Sequence, residues 1–103
     1  MHTITFSHEK DTLTIFVERD IDHHNAAALR TEIDRAIELM PAREVVLDFD
    51  SVEFMDSSGI GMVLGRYKKT AERGAKLHLR RLNSRCRRLA ELSGILQLVD
   101  IID

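Results

Sequence analysis

A single cysteine, Cys86, has no partner for an internal disulfide, and so sparing a use of thiols fits a reducing compartment. An excess of one charge is missing too. Fifteen basic against 17 acidic side chains give a formal net charge of −2, which offers no global attraction to nucleic acid or a membrane surface. The start, Met1-His2-Thr3-Ile4-Thr5, lacks the basic n-region and long apolar stretch of a secretory signal, and no run elsewhere is long enough to span a bilayer. Repeats, linkers and low-complexity tracts are absent. What remains is 103 residues with 44% apolar and 31% charged side chains, the composition of an ordinary globular protein with chain enough for one core. We expect residues 1–103 to form a single cytoplasmic domain.

Along the chain the apolar period switches between two and 3.6. Thr3-Ile4-Thr5-Phe6-Ser7 and Thr12–Val17 alternate as strands do, with a polar turn at Glu9-Lys10-Asp11. A charged loop, Arg19 to Asn25, leads to a helix striped by Leu29, Ile33, Ala36, Ile37 and Met40, which Pro41 stops. Val45-Val46-Leu47-Asp48-Phe49 is apolar nearly throughout, as a central strand should be. Ile60, Val63, Leu64, Tyr67 and Ala71 mark one face of a second helix from Ser57 to about Arg73, ended by Gly74. Lys76–Arg80 alternates again. Ser84 then caps a short helix with Cys86, Leu89 and Ala90 inward and Gly94 at its end, and Leu96 to Ile102 reads as a last strand. This alternation from Thr12 onward implies an α/β fold with parallel strands and right-handed crossovers.

The stretch Phe54-Met55-Asp56-Ser57-Ser58-Gly59-Ile60-Gly61 lies where the central strand gives way to the second helix. Asp56 occupies the N-cap position, where its carboxylate can accept from otherwise orphan amides. Ser57 and Ser58 therefore sit at an exposed helix start, a place suited to a reversible chemical mark or a docking contact. Nothing nearby is equipped to perform chemistry itself. From spacing alone, a reading in which these residues only cap the helix stays open.

Other constellations weigh less. Gly59, Gly61 and Gly65 spell G-x-G-x-x-x-G, one residue too long for a dinucleotide fingerprint, and no acid ends the next strand to meet a ribose. They read better as allowing close approach of helix, sheet and partner. A small nucleotide-binding or nucleotide-hydrolysing domain stands as the competing class, because the same helix start can hold a phosphate. Asp48, Asp50 and Asp56 lack the lysine after a later strand that a phospho-acceptor aspartate needs. Asp22, His23 and His24 have no third ligand at metal-binding spacing. Arg80, Arg81, Arg85, Arg87 and Arg88 have no aromatic platform and read as a solvated face. Cys86 reads as plain core.

From Phe54 to Lys68 the sequence resembles the signature of bacterial anti-sigma factor antagonists, the STAS-domain family. There Phe-Met-Asp-Ser-Ser-Gly-x-Gly is followed by Leu-Gly-Arg-Tyr-Lys, supplied here by Leu64-Gly65-Arg66-Tyr67-Lys68. Asp22-His23-His24 also matches, the likeness runs from Thr12 to Ile102, and it is strongest to the sporulation sigma-F type. The resemblance implies a single STAS domain whose mixed, mostly parallel five-stranded sheet has helices packed against it. It implies no enzymatic activity and no cofactor. It implies that the unphosphorylated form binds an anti-sigma factor serine kinase and frees sigma factor. The kinase then phosphorylates Ser57 with ATP, and a serine phosphatase resets the cycle. Asp22, Ser58, Gly59, Ile60 and Gly61 are the docking residues it implies. Family members usually continue into a fourth helix past the position of Asp103, and often have Gly where this chain has Arg19. A phosphate adds about −1.5 to −2 charges, which a helix N-terminus tolerates and a packed partner does not. Such a group makes a switch.

Overall fold

The period-two pattern of the strands sorts the sheet into two unlike faces. A computed structural model describes residues 3–102, so the expected leader-free start at Met1-His2 and the terminal Asp103 lie outside the described residues. Strands β1 (Ile4–Glu9) and β2 (Thr12–Val17) pair antiparallel around Lys10-Asp11, where Lys10 takes the left-handed φ of 55° that so tight a turn requires. The chain then runs α1 (Ala26–Leu39), β3 (Glu44–Asp48), α2 (Ser57–Glu72), β4 (Lys76–Arg80), α3 (Ser84–Ser93) and β5 (Asp100–Ile102). Sheet order is β1-β2-β3-β4-β5, with β2, β3, β4 and β5 running parallel to one another. Every crossover steps to the adjacent strand in the same direction, so right-handed connections lay α1, α2 and α3 on one face.

Under those helices lie Leu13, Ile15 and Val17 of β2, Val45 and Leu47 of β3, and Leu77 and Leu79 of β4, meeting Leu29, Ile33 and Ile37 of α1 and Met62 and Val63 of α2. Each fully buried aliphatic side chain contributes about 1.5–3 kcal/mol. The reverse face is polar. His78 Nε2 sits 2.5 Å from Glu44, and Arg80 and Arg81 each approach the buried Asp48 carboxylate at 2.8 Å. No helix among the described residues is long and apolar enough to cross a membrane.

Several local expectations shift. The buried face of α2 is Gly59, Met62, Val63, Arg66 and Thr70, whereas Ile60, Leu64 and Tyr67 are half-buried and Ala71 is exposed. The helix is turned because its polar residues find partners inside. Thr70 donates its hydroxyl to the Tyr67 carbonyl at 3.0 Å, and Arg66 Nε lies 2.8 Å from Asp34 of α1. The cap of α3 is Asn83, one residue before the expected Ser84, with its Oδ1 accepting from the Cys86 amide at 2.8 Å. The last strand is only Asp100–Ile102. Ile95–Gln97 forms a 3-10 turn instead, because the Ile95 carbonyl takes both the Leu98 and the Val99 amides while Ile95 and Val99 are buried.

Candidate functional site

The site begins as a joint between two loops that follow neighbouring strands. After β2, the Ile21 amide donates to the Phe54 carbonyl at 3.0 Å, and the Ile21 carbonyl accepts from the Asp56 amide at 3.1 Å. The side chains of Ile21 and Met55, paired across this short parallel bridge, are both buried. Asp20 reinforces the joint: one carboxylate oxygen accepts from the Glu53 amide at 2.8 Å and the Phe54 amide at 3.1 Å. From the other side, Asn83 donates its side-chain amide to the Glu53 carbonyl at 3.0 Å. The loop before α2 is thus gripped by residues from two distant parts of the chain. Neither Asp20 nor Asn83 was singled out by the sequence. Asn83 had a local signal, an Asx residue three before Cys86, but Asp20 had none, since its partners lie 33 and 34 positions away.

On this base Asp56 caps α2 as expected, accepting from the Ser58 amide at 2.8 Å through a carboxylate oxygen. Ser57 is the first residue of the helix and is exposed, and its hydroxyl makes no hydrogen bond among the described residues. Ser58 and Ile60 are half-buried beside it, and Gly61 is exposed. Gly59 differs. It is buried, and a Cβ there would meet Met55 Sδ at 2.9 Å and Met55 Cβ at 3.0 Å, so it forms the floor on which α2 starts rather than a surface. Close approach explains this glycine alone of the three, because Gly61 and Gly65 have nothing within 4 Å of an added Cβ.

Asp22 lies on the other side of the joint, at the entry to α1. Its carboxylate accepts from the His24 amide at 2.8 Å and the Asn25 amide at 3.1 Å, while Asn25 Oδ1 accepts in return from the Asp22 amide at 3.0 Å. This reciprocal turn fixes the loop. The His24 amide, outweighing partial burial and aided by the Asn25 amide, holds the Asp22 carboxyl below its usual range. The bridge therefore brings Asp22 onto the same end of the molecule as Ser57, where Phe54, 43% exposed, adds an apolar patch.

The remaining constellations have structural explanations. Burial raises the Asp48 carboxyl, but Arg81, the Asp50 amide and Arg80 together hold it below its ordinary value. Arg80 and Arg81 are thereby spoken for, and Arg87 lies 4.0 Å from Glu91. The rings of His23 and His24 lie against each other, tilted by 38° with centroids 4.0 Å apart. Burial pushes the Cys86 thiol up, and its side chain is fully enclosed.

Comparison with known proteins adds a third line. The sequence model of one family, the STAS domain, matches residues 3–103. The anti-sigma F factor antagonist of Paenibacillus polymyxa is 32% identical over 100 residues, spanning 97% of this chain and 86% of its own. Among solved structures, the anti-sigma factor antagonist SpoIIAA in its unphosphorylated form superposes with a TM-score of 0.79 at 25% identity, covering 97% of this chain and 88% of that one. The Bacillus cell fate determinant SpoIIAA in the phosphorylated form gives a TM-score of 0.71 at 25% identity, covering 97% and 91%.

Proposed function

The chain belongs to the STAS-domain family of anti-sigma factor antagonists, and from that membership we propose that it is a non-enzymatic partner switch worked through Ser57. In this reading residues 1–103 act as one STAS domain. The unphosphorylated protein binds an anti-sigma factor serine kinase and releases sigma factor. Phosphorylation of Ser57 ends the complex, and a serine phosphatase restores it. Asp22, Ser58, Ile60 and Gly61 form the docking surface, with Gly59 beneath it.

The observation that carries the proposal is the state of the Ser57 hydroxyl, exposed and unengaged at the first position of α2, on the end of the molecule that holds Asp22. A phosphate there meets the positive end of the helix dipole and leaves the core untouched. The same group, with about −1.5 to −2 charges, must be stripped of water when a partner packs on it, which is costly unless a cation receives it. The relatives named for antagonism of anti-sigma factors, one of them solved in both phosphorylation states, support this reading.

Ser57→Ala tests it. The variant should keep its fold with little loss of stability, because Asp56 supplies the cap. It should bind the kinase yet take up no phosphate when incubated with kinase and ATP, as read by mass spectrometry of the intact protein. Phosphate incorporated at the parent's stoichiometry would assign the acceptor to Ser58 or elsewhere.

A further inference from the structure

Two hollows of unlike charge lie at the end of the molecule that carries Ser57. On one side Glu18, Asp20, Asp22 and Glu53, against the single cation Arg19, line a hollow of about 550 Å³. On the other, a cleft of about 290 Å³ opens between the first turns of α1 and α2, and its lining includes His23, Arg30, Ser58 and Gly61 but no carboxylate. Arg30 is exposed and has no ion-pair partner among the described residues. Deeper along the same helix pair, Arg66 lies 2.8 Å from Asp34, and its charge is disfavoured by burial and by the neighbouring Arg30. The start of α2 adds the positive end of its dipole. Arg30, the one arginine or lysine in the lining, and the helix dipole both favour an anion here.

We propose that the cleft between α1 and α2 receives a carboxylate side chain of the docking partner, held by the Arg30 guanidinium with the Ser58 hydroxyl at its rim. The planar fork of arginine matches a carboxylate in a way a point charge does not. The inference rests on the reading of the Ser57 surface as a kinase-docking site and specifies the partner's chemistry. That partner is acidic where it enters the cleft and basic where it meets Asp20, Asp22 and Glu53. Opposite charges in the two hollows fix the orientation of the complex, because a reversed encounter sets like charges against each other.

The test uses the full chain and the serine-kinase anti-sigma factor from the same host. Parent, Arg30→Ala and Arg30→Glu are titrated by calorimetry at low and high salt, with melting temperatures recorded for each. Arg30→Glu should weaken binding at least about tenfold, with Arg30→Ala in between, and the difference should shrink in high salt. Melting temperatures should stay within a degree or two, as for other exposed substitutions. A kinase variant whose contacting acid is changed to lysine should restore binding to Arg30→Glu. If Arg30→Glu binds as tightly as the parent, the cleft proposal is overturned while the docking reading stands. If it binds normally but loses stability only when Ser57 carries phosphate, the cleft holds the chain's own phosphate and the proposal is again wrong. If the parent itself does not bind the kinase, the docking reading fails, and this inference with it.

Discussion

Helices α2 and α3 begin alike. Each is capped by an Asx side chain, Asp56 accepting from the Ser58 amide and Asn83 from the Cys86 amide, and each places an exposed serine, Ser57 or Ser84, at its first position. Their surroundings separate them. The start of α2 sits on Met55 through Gly59 and is bridged to the loop that carries Asp22. The start of α3 uses its cap residue to hold the loop before α2, and Arg81, two positions earlier, is tied to Asp48. One helix start is presented, and the other is a fastener. Capping chemistry supplies the same local geometry to both, so what differs in function comes from contacts far along the chain.

The largest effect should come from removing the seat of α2. Gly59→Ala places a methyl within 3.0 Å of the buried Met55 side chain, and overpacking of this kind destabilises by about 1–3 kcal/mol. Gly61→Ala, two residues on with open space, should instead be neutral or stabilising by up to about 1 kcal/mol, since alanine favours the helix. Urea denaturation of both variants measures the contrast. Equal stabilities would mean that α2 does not depend on its contact with Met55.

Next in size is the fastener. Asn83→Ala removes a cap and the clasp on the Glu53 carbonyl together, for about 1–2 kcal/mol. Hydrogen exchange should then rise not only in the first turn of α3 but also in the loop from Ser51 to Asp56. Faster exchange confined to α3 would show that the clasp contributes nothing to the site.

The smallest change in stability should accompany the sharpest difference in binding. An aspartate replacing either serine meets the same helix-dipole end, so Ser57→Asp and Ser84→Asp should each be neutral or stabilising by about 0.3–1 kcal/mol. Only Ser57→Asp should weaken kinase binding, at least about tenfold or roughly 1.4 kcal/mol. Melting temperature and titration must be taken on the same preparations. Binding lost equally in both variants would point to a general effect of charge rather than exclusion at Ser57.

How much of this was legible in the sequence depended on the reach of each interaction. Strand alternation, the ends of α1 at Pro41 and of α2 at Gly74, the left-handed Gly94 and the Asp56 cap are set within a few residues, and the structure carries them where the pattern put them. The turn of α2 about its axis was not readable that way. Apolar periodicity counts Arg66 and Thr70 as outward, and their burial is tolerable because Arg66 meets Asp34 of α1 and the Met62 carbonyl while Thr70 bonds the Tyr67 carbonyl. The site divides similarly. The motif from Phe54 to Gly61 pointed to Ser57 and its helix start, but the Asp20 bonds to Glu53 and Phe54 required knowing that β2 and β3 are neighbours. The short β5 was overread because Leu96 and Leu98 continue an apolar run, while the Ser93 hydroxyl accepting from the Ile95 amide tightens the chain into a turn.

The joint between the two loops also bears on timing. Asp22 leaves the ribosome first, Ser57 follows, and Asn83 comes last, with the stretch from Asp22 to Asn83 taking on the order of several seconds at about 5–20 residues per second. Until β2 and β3 have paired and Asn83 has closed on Glu53, a nascent chain displays the serine as part of a loose peptide, without the contour assembled around it. A kinase that reads the contour, as proposed, would be blind to unfinished and misfolded copies. If the protein switches as proposed, only completed molecules would be counted, and the pool available to the switch would be set by folding as well as by synthesis.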